Sequence, residues 1–411
     1  MQRILVLGAG FAGLWSAIGA ARALDERGIG ADRVEITVVN QTSFHSIRVR
    51  NYEVDLSATL IPLADVLDPI GVRHIVADVT DIDVTRRCVT CTTAGGPLAL
   101  DYDRLVFALG SRVRRPPVPG LREHAFDIDT YDAAMRLGAH LTNLADRPAS
   151  PARDTVLVVG AGLTGVETAA EMPDRLRNVL GNDKQARPRV ILADHSAHIG
   201  STMGDGACAV IGEAMQALGV ETRPGVAIAA IDADGATLAN GERIETSTVI
   251  WCAGMEANPW TACLPVERDA AGRLPVDPTL KIEGLAAEFA AGDSAWFKID
   301  GDNLCVMSCQ HGRPMGRFAG YNVVCDLLGE PMLPLTIGYY VTILDLGPWG
   351  AVYTEGWDRT VVAREAVAKR TKEVINRQRI YPPLSRDRRE ILDAAAPTVQ
   401  TPPAYSGSSR A

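Results

Sequence analysis

The sequence predicts an α/β fold, with two Rossmann-like three-layer domains followed by a smaller C-terminal α+β domain. Three observations predict it. An apolar strand, a glycine-rich turn and a helical pattern succeed one another over residues 4–24. The same succession returns from residue 155. After about residue 326 the pattern changes to short strands and turns, and Gly347-Pro-Trp-Gly350 between two apolar runs reads as a hairpin. With 411 residues, 47% of them hydrophobic, the chain can fill two or three cores.

In the first module, Ile4-Leu-Val-Leu-Gly-Ala-Gly-Phe-Ala-Gly13 sets a buried-strand run directly before Gly8, Gly10 and Gly13, and the helical pattern Leu14 to Leu24 follows. Gly8 makes the tight turn, Gly10 lets backbone approach a pyrophosphate, and Gly13 lets helix pack on strand. The helix start then offers free N–H groups and its positive dipole end to the phosphates. The second module, Thr155-Val-Leu-Val-Val-Gly-Ala-Gly-Leu-Thr-Gly165, repeats every part with Gly160, Gly162 and Gly165. One such pattern is weak evidence, but chance would have to produce it twice. Two modules imply two bound dinucleotides, and the usual reason to hold two is to pass a hydride between a nicotinamide and a flavin.

The second strand of each module normally ends in a carboxylate that accepts from an adenosine ribose 2'-hydroxyl. Arg189-Val-Ile-Leu-Ala-Asp194 ends in Asp194, whose charge repels a 2'-phosphate, so this module is expected to take NADH over NADPH. His195 beside it reads as a solvated surface residue. In the first module the strand Glu35 to Asn40 ends in neutral Asn40, which can still bond a ribose. FAD is given to this first module by two distant stretches. Glu288-Phe-Ala-Ala-Gly-Asp-Ser-Ala295 is a short strand ending in Gly292 and Asp293, with a helix-like stretch expected after it. There Asp293 can accept from a ribityl hydroxyl, with a helix start near the flavin phosphate. Asp101 to Ser111 is a strand running into a small-residue turn, suited to a chain leaving the flavin domain beside its cofactor.

Charge and composition exclude other classes. A net charge of −9 argues against a nucleic-acid partner, which needs a basic surface. The N-terminal residues lack the pattern of a signal peptide, and no stretch approaches a spanning helix, so a cytoplasmic chain with at most loose, peripheral membrane contact is expected. No metal site is expected. Of eight cysteines, only Cys88 and Cys91 have redox-like spacing, and on a strand from Arg87 to Thr93 they fall on opposite faces, as ordinary thiols.

With these motifs the chain resembles the two-dinucleotide flavoprotein reductases, and within them the type II NADH dehydrogenases, the non-pumping NADH:quinone oxidoreductases. Four motifs over roughly residues 1–325 carry the resemblance: Gly8 to Gly13, Gly160 to Glu167, Thr248-Val-Ile-Trp-Cys-Ala-Gly254, and Ala290 to Ala295. It implies FAD at residues 1–112 and 270–325, NADH at 113–269 and a C-terminal domain at 326–396, while the Pro/Ser/Gly-rich composition of 397–411 predicts a disordered tail. Cofactor contacts are expected at Gly8, Gly10, Phe11, Ala12, Gly13, Asn40, Val79, Ala108, Gly110, Gly160, Gly162, Thr164, Gly165, Asp194, Ala253, Gly254, Gly292 and Asp293. It also implies that Glu167 sits beside nicotinamide and flavin; the alternative is a Glu favoured by a helix start alone. Glu171, one turn on, reads as structural.

The acceptor side departs from the family pattern. Members carry two glutamines at a fixed short spacing on a helix near the flavin; in Met307 to Met315, Gln310 fits the first, but Pro314 stands where the second belongs. Gln310 and His311 are candidates to bond a quinone carbonyl, against a capped helix start with surface polar residues. Arg48 and Arg50 are candidates to meet a reduced flavin or an acidic substrate, or are loop charges. Glu365 to Arg379 reads as a basic helix without the apolar face for firm membrane insertion. The function expected is therefore FAD-dependent transfer from NADH to a quinone or quinone-like acceptor. A soluble enzyme acting on a biosynthetic metabolite and a slow redox sensor stay open, a reductase for a protein partner such as a ferredoxin is disfavoured by the acidic chain, and a homodimer is compatible with the sequence. A disulfide reductase is disfavoured because no cysteine pair follows either glycine turn.

Overall fold

The computed structural model describes residues 1–402. The tail expected to be disordered therefore falls partly outside the described residues, and its first part, 397–402, is irregular chain. Two parallel five-stranded sheets form the body. In the first, the strand order is Glu288–Ala290, Arg104–Phe107, Gln2–Leu7, Val34–Asn40 and Arg73–Val76. The second runs Ala125–Phe126, Thr248–Trp251, Thr155–Val159, Arg189–Ala193 and Val220–Arg223. The central strands Ile4 to Leu7 and Thr155 to Val159 are buried on both faces, which explains their unbroken apolar runs.

Each central strand leads through its glycine turn into a helix, α1 (Phe11–Asp25) and α2 (Leu163–Leu180). A third long helix, α3 (Cys309–Leu328), packs along α1 at unusually close range. A Cβ at Gly316 would lie 2.4 Å from the Ala12 carbonyl oxygen, and one at Gly320 would lie 2.1 Å from that of Ser16, so only glycine fits. Pro314 lies inside α3 and has no N–H to return to the Gln310 carbonyl one turn back, which that carbonyl would otherwise receive.

The hairpin expected around Gly347 is present: strands Val341–Asp345 and Ala351–Glu355 pair antiparallel across it. A third strand, Thr360–Arg364, which the sequence pattern does not separate out, completes the sheet. Helix α4 (Glu365–Val374) packs on this sheet and continues as a single wide turn, Ile375–Arg379. A last helix, α5 (Arg388–Ala394), lies against α1, where Arg22 pairs with Asp393 at 3.0 Å. No helix among the described residues is long and apolar enough to cross a membrane.

One expectation fails. After Gly292 and Asp293 the chain makes only a single tight turn, Gly292–Ser294, and then the short strand Ala295–Trp296. The helix begins only at Cys309. Ala291 and Ala295, which flank the turn, are both extended, so Ser294 ends it and carries the chain on as strand.

Candidate active site at two glycine turns and a buried helix start

The two glycine turns have the same construction. Gly8 has φ +91° and Gly160 has φ +101°, a region that side chains strain. A Cβ at Gly13 would lie 2.0 Å from the Gly8 oxygen, and one at Gly165 would lie 1.7 Å from that of Gly160. At Gly10 and Gly162, by contrast, a Cβ would meet nothing within 4 Å. These two residues begin α1 and α2, and neither helix start is capped by a side chain, so the first N–H groups face open space. Both cradles thus fit a dinucleotide pyrophosphate.

Each turn is also held by a side chain from the end of the neighbouring strand. Asn40 Oδ1 accepts from the Ala9 N–H at 2.9 Å, and Asp194 Oδ2 accepts from the Ala161 N–H at 2.5 Å. The remaining polar atoms are engaged too: Asn40 Nδ2 donates to the Thr42 carbonyl, and Asp194 Oδ1 accepts from Ser196 N–H at 2.7 Å. Only spare lone pairs are left for the ribose contact expected of both, and the sequence did not reveal this second task. Burial alone would raise the Asp194 carboxyl, but the Ala161 and Ser196 N–H groups outweigh it and hold the pKa below its usual value. His195 is a solvated neighbour, 3.4 Å from Asp194.

Around the first turn, Gly292 abuts Ala12, where an added Cβ would come within 2.6 Å of the Ala12 side chain. Asp293 accepts from Ser111 Oγ at 2.6 Å, and Ser294 Oγ donates to the Gly110 carbonyl at 2.9 Å. Ala108 follows its strand directly, its N–H donating to the Leu7 carbonyl at 3.0 Å and its own carbonyl closing against Gly8. Phe11, Ala12, Ala108, Gly110, Gly292 and Asp293 are therefore gathered at one place. Val79 lies on a separate antiparallel sheet, paired with Cys91. In the second module, Ala253 closes against Gly160, Gly254 takes φ +83°, and Thr164 is exposed on the first turn of α2.

Arg48 reaches this region: it donates to Ser111, pairs with Asp129 and lies 3.8 Å from Asp293. Arg50 does not, being buried in a pair with Glu53 and donating to Tyr381 Oη at 2.6 Å, which makes it a structural contact. His45 was missed. Its Nδ1 lies 2.8 Å from the Ala9 carbonyl and its buried Nε2 has no partner. Burial lowers its pKa to about 4, so the ring is neutral. The signal was present, a histidine a few residues after the second strand, but nothing in spacing shows that the chain folds back onto the turn.

Glu167 is buried on α2 and bonded to Lys372 Nζ at 2.7 Å, and it accepts from the Asp345 N–H at 3.1 Å. Lys372, from α4, is also within electrostatic reach of Cys309 at the start of α3. Desolvation, which would lower the Lys372 pKa, is outweighed by Glu167, so the ammonium is stabilised. Glu171 is only half buried, beside Asp345 and Lys369.

The start of α3 is capped by Ser308, as one reading expected, but His311 is fully buried rather than on the surface. Its Nδ1 accepts from the Val306 N–H at 2.9 Å, which places the proton of the neutral ring on Nε2, a buried atom without a partner. The ring packs edge-on against Tyr340 and Trp357, and burial lowers its pKa to about 4. Gln310 donates to the Tyr339 carbonyl at 3.3 Å. Cys88 is half buried and Cys91 buried on one strand, alternate in burial as expected, and burial pushes the Cys91 thiol up to about 11. All eight cysteines are free.

The family model for pyridine nucleotide-disulphide oxidoreductases matches residues 2–316. The chain belongs to that family. It is a two-dinucleotide oxidoreductase, and it resembles the type II NADH dehydrogenases. The NADH dehydrogenase-like protein Rv1812c of Mycobacterium tuberculosis is 55% identical over 403 residues, covering 98% of this chain and 100% of that one. A type II NADH:quinone oxidoreductase of Staphylococcus epidermidis is 28% identical and covers 92% of this chain and 95% of its own. The solved structure of NDH2 from Plasmodium falciparum in complex with NADH superimposes with a TM-score of 0.77 at 13% identity, covering 96% of this chain and 97% of that one, which bears on the fold.

Proposed function

We propose that the chain oxidises NADH at a bound FAD and delivers the electrons to a quinone or quinone-like small molecule. The observation that carries this reading is the meeting of the two modules. Glu167, on the helix that starts at the second turn, is bonded to Lys372, whose charge is within electrostatic reach of Cys309 at the start of α3, and α3 lies against the first turn. That arrangement supports a transfer between dinucleotides held at the two turns, which requires their reacting ends to meet. The names of the relatives, NADH dehydrogenase-like and NADH:quinone oxidoreductase, agree with it.

When bound, the nicotinamide and flavin supply the hydride and electron chemistry. The chain's own residues hold and orient. The N–H groups at Phe11 and Ala12 receive one pyrophosphate and those at Leu163 and Thr164 the other. Asp194 disfavours a 2'-phosphate, so NADH is preferred over NADPH. Asp293, fixed by Ser111 and near Arg48, is placed to accept from a ribityl hydroxyl. The Glu167–Lys372 pair holds a proton on Lys372 Nζ beside the reacting ends, while buried neighbours exclude water. At the acceptor, His311 Nε2–H and Gln310 are the donors available to a quinone carbonyl.

The test is to purify the protein, record its flavin spectrum, add NADH without oxygen and follow reoxidation by a soluble quinone. Bleaching followed by quinone-dependent recovery is expected. A protein that does not bleach with NADH would sink the proposal, and bleaching without recovery would remove the quinone from it.

A further inference from the structure

Two arginines on α3 are buried without an acid beside them among the described residues. Arg313 is 8% exposed and Arg317 is 6% exposed, one helical turn apart. Their guanidinium carbons lie 4.8 and 4.4 Å from the ring centre of Trp15 on α1, and neither Nε has a hydrogen-bond partner. The chain pairs its other buried guanidiniums: Arg50 with Glu53, and Arg153 with Asp154 at 2.6 Å. With a net charge of −9 the chain has acids to spare, yet among the described residues none pairs with Arg313 or Arg317. Cation–π contact with Trp15 offsets part of the desolvation, but an unpaired buried charge remains costly.

A third cation closes the group. Arg379, at the end of the turn after α4, lies close enough to repel both and donates to Tyr339 Oη at 3.4 Å. Burial and these neighbours push Arg313 down to about 10 and Arg317 to about 9, so an anion here would restore what burial takes away. Among the described residues, the group set against Arg317 is a neutral amide. Gln400, with its amide oxygen turned toward α3, accepts from Arg317 Nη2 at 3.2 Å and from Nη1. In the covering chain the next carbonyl, that of Thr401, accepts from Arg379. Arg313 is also three residues from Gln310, which bonds the Tyr339 carbonyl, so the cations border the place proposed for the acceptor.

We propose that Arg313, Arg317 and Arg379 bind a carboxylate carried by the oxidising substrate, which displaces the Gln400 amide and sets the substrate's ring beside Gln310. This rests on the acceptor reading above and narrows it, from any quinone to an acidic aromatic one. A bidentate guanidinium–carboxylate contact is the strong form of such recognition, and two adjacent guanidiniums offer it twice.

The test is a binding measurement that needs no turnover. The purified full-length flavoprotein is titrated calorimetrically with 2-naphthoate and with its methyl ester, both redox-inert. The acid is expected to bind at least about tenfold more tightly than the ester. That ratio is expected to fall to about one in Arg317→Gln. Because a buried arginine variant can fail to fold, Gln400→Glu is measured beside it: a carboxylate placed next to Arg317 is expected to raise the melting temperature and to abolish the preference for the acid. Equal binding of acid and ester by the wild type overturns the proposal. Inorganic phosphate is the third arm: competition against the acid supports the site, whereas Arg317-dependent phosphate binding without any preference for the acid assigns it to a free anion and overturns the substrate claim. Loss of flavin from Arg317→Gln would give the cations to the flavin diphosphate and would overturn the substrate claim as well. Failure of NADH to bleach the flavin is read separately, in the absence of naphthoate, and bears only on the reading beneath.

Discussion

The first glycine turn is latched by Asn40 and the second by Asp194, although the backbone they hold is nearly the same and each accepts from the alanine N–H that follows the turn's first glycine. Fixing the turn therefore needs only a side-chain oxygen at the end of the neighbouring strand. Charge is a separate choice about the ligand. The helices differ in the same spirit: α1 is buried along most of its length against α3, whereas α2 carries Glu167 into a buried ion pair with the C-terminal domain. The first module's helix has ion pairs only with exposed partners, such as Arg22 with Asp393, whereas the second adds a buried one.

The largest effect that would test this contrast is in the ion pair. Lys372→Met leaves the Glu167 carboxylate buried and alone and is expected to cost about 3–5 kcal/mol in urea unfolding, with much of the loss recovered in the double variant Glu167→Gln/Lys372→Met. A cost below about 1 kcal/mol would mean the second helix is held by packing after all. Next come the glycines. Gly13→Ala and Gly165→Ala each force a methyl group into a carbonyl and should destabilise by about 1–3 kcal/mol. Gly13→Ala is expected to lose flavin absorbance, and Gly165→Ala to keep it while binding NADH more weakly; the comparison breaks if both lose the same cofactor.

Smaller again is the latch exchange. Asp194→Asn keeps an oxygen for Ala161 and removes the charge, so the NADH-over-NADPH ratio of kcat/KM should fall about tenfold, roughly 1.4 kcal/mol. The mirror change Asn40→Asp is expected to leave that ratio alone. The smallest effect lies at Glu171, which burial and the nearby Asp345 push up to about 7. A carboxyl that holds its proton more tightly when folded adds stability that is full below about pH 4.5 and lost as pH rises through about 7. Glu171→Gln should therefore flatten the stability profile between those limits. Discounted for partial exposure, the gain at pH 8 is on the order of 1 kcal/mol.

The strands, both turns and the hairpin were legible because each is local: an apolar run, glycines at fixed spacing, a Gly-Pro pair. Asp194 and Asn40 were found by position, but their latching bonds were not, since a strand end does not announce which N–H it will face. Lys372 was read only as part of a basic surface helix. Its partner lies 205 residues away, and nothing in α4 marks one lysine of several as the buried one. Arg313 stands three residues past Gln310 in the sequence, but its stacking on Trp15 and its lack of an acid among the described residues appear only when α3 is laid against α1. The helix expected after Asp293 was wrong because a small-residue run after Gly-Asp is as compatible with a tight turn as with a first helical turn.

The glycine faces of α1 and α3 leave no clearance between the two helices. A slide of α3 by one turn would be about 5.4 Å, and the backbone contacts at Gly19, Gly316 and Gly320 forbid even a fraction of it. The first glycine turn and the ground at Gln310 thus behave as a single stiff strut. Any adjustment at this face is left to parts not bolted to the strut, such as the irregular chain over Arg317.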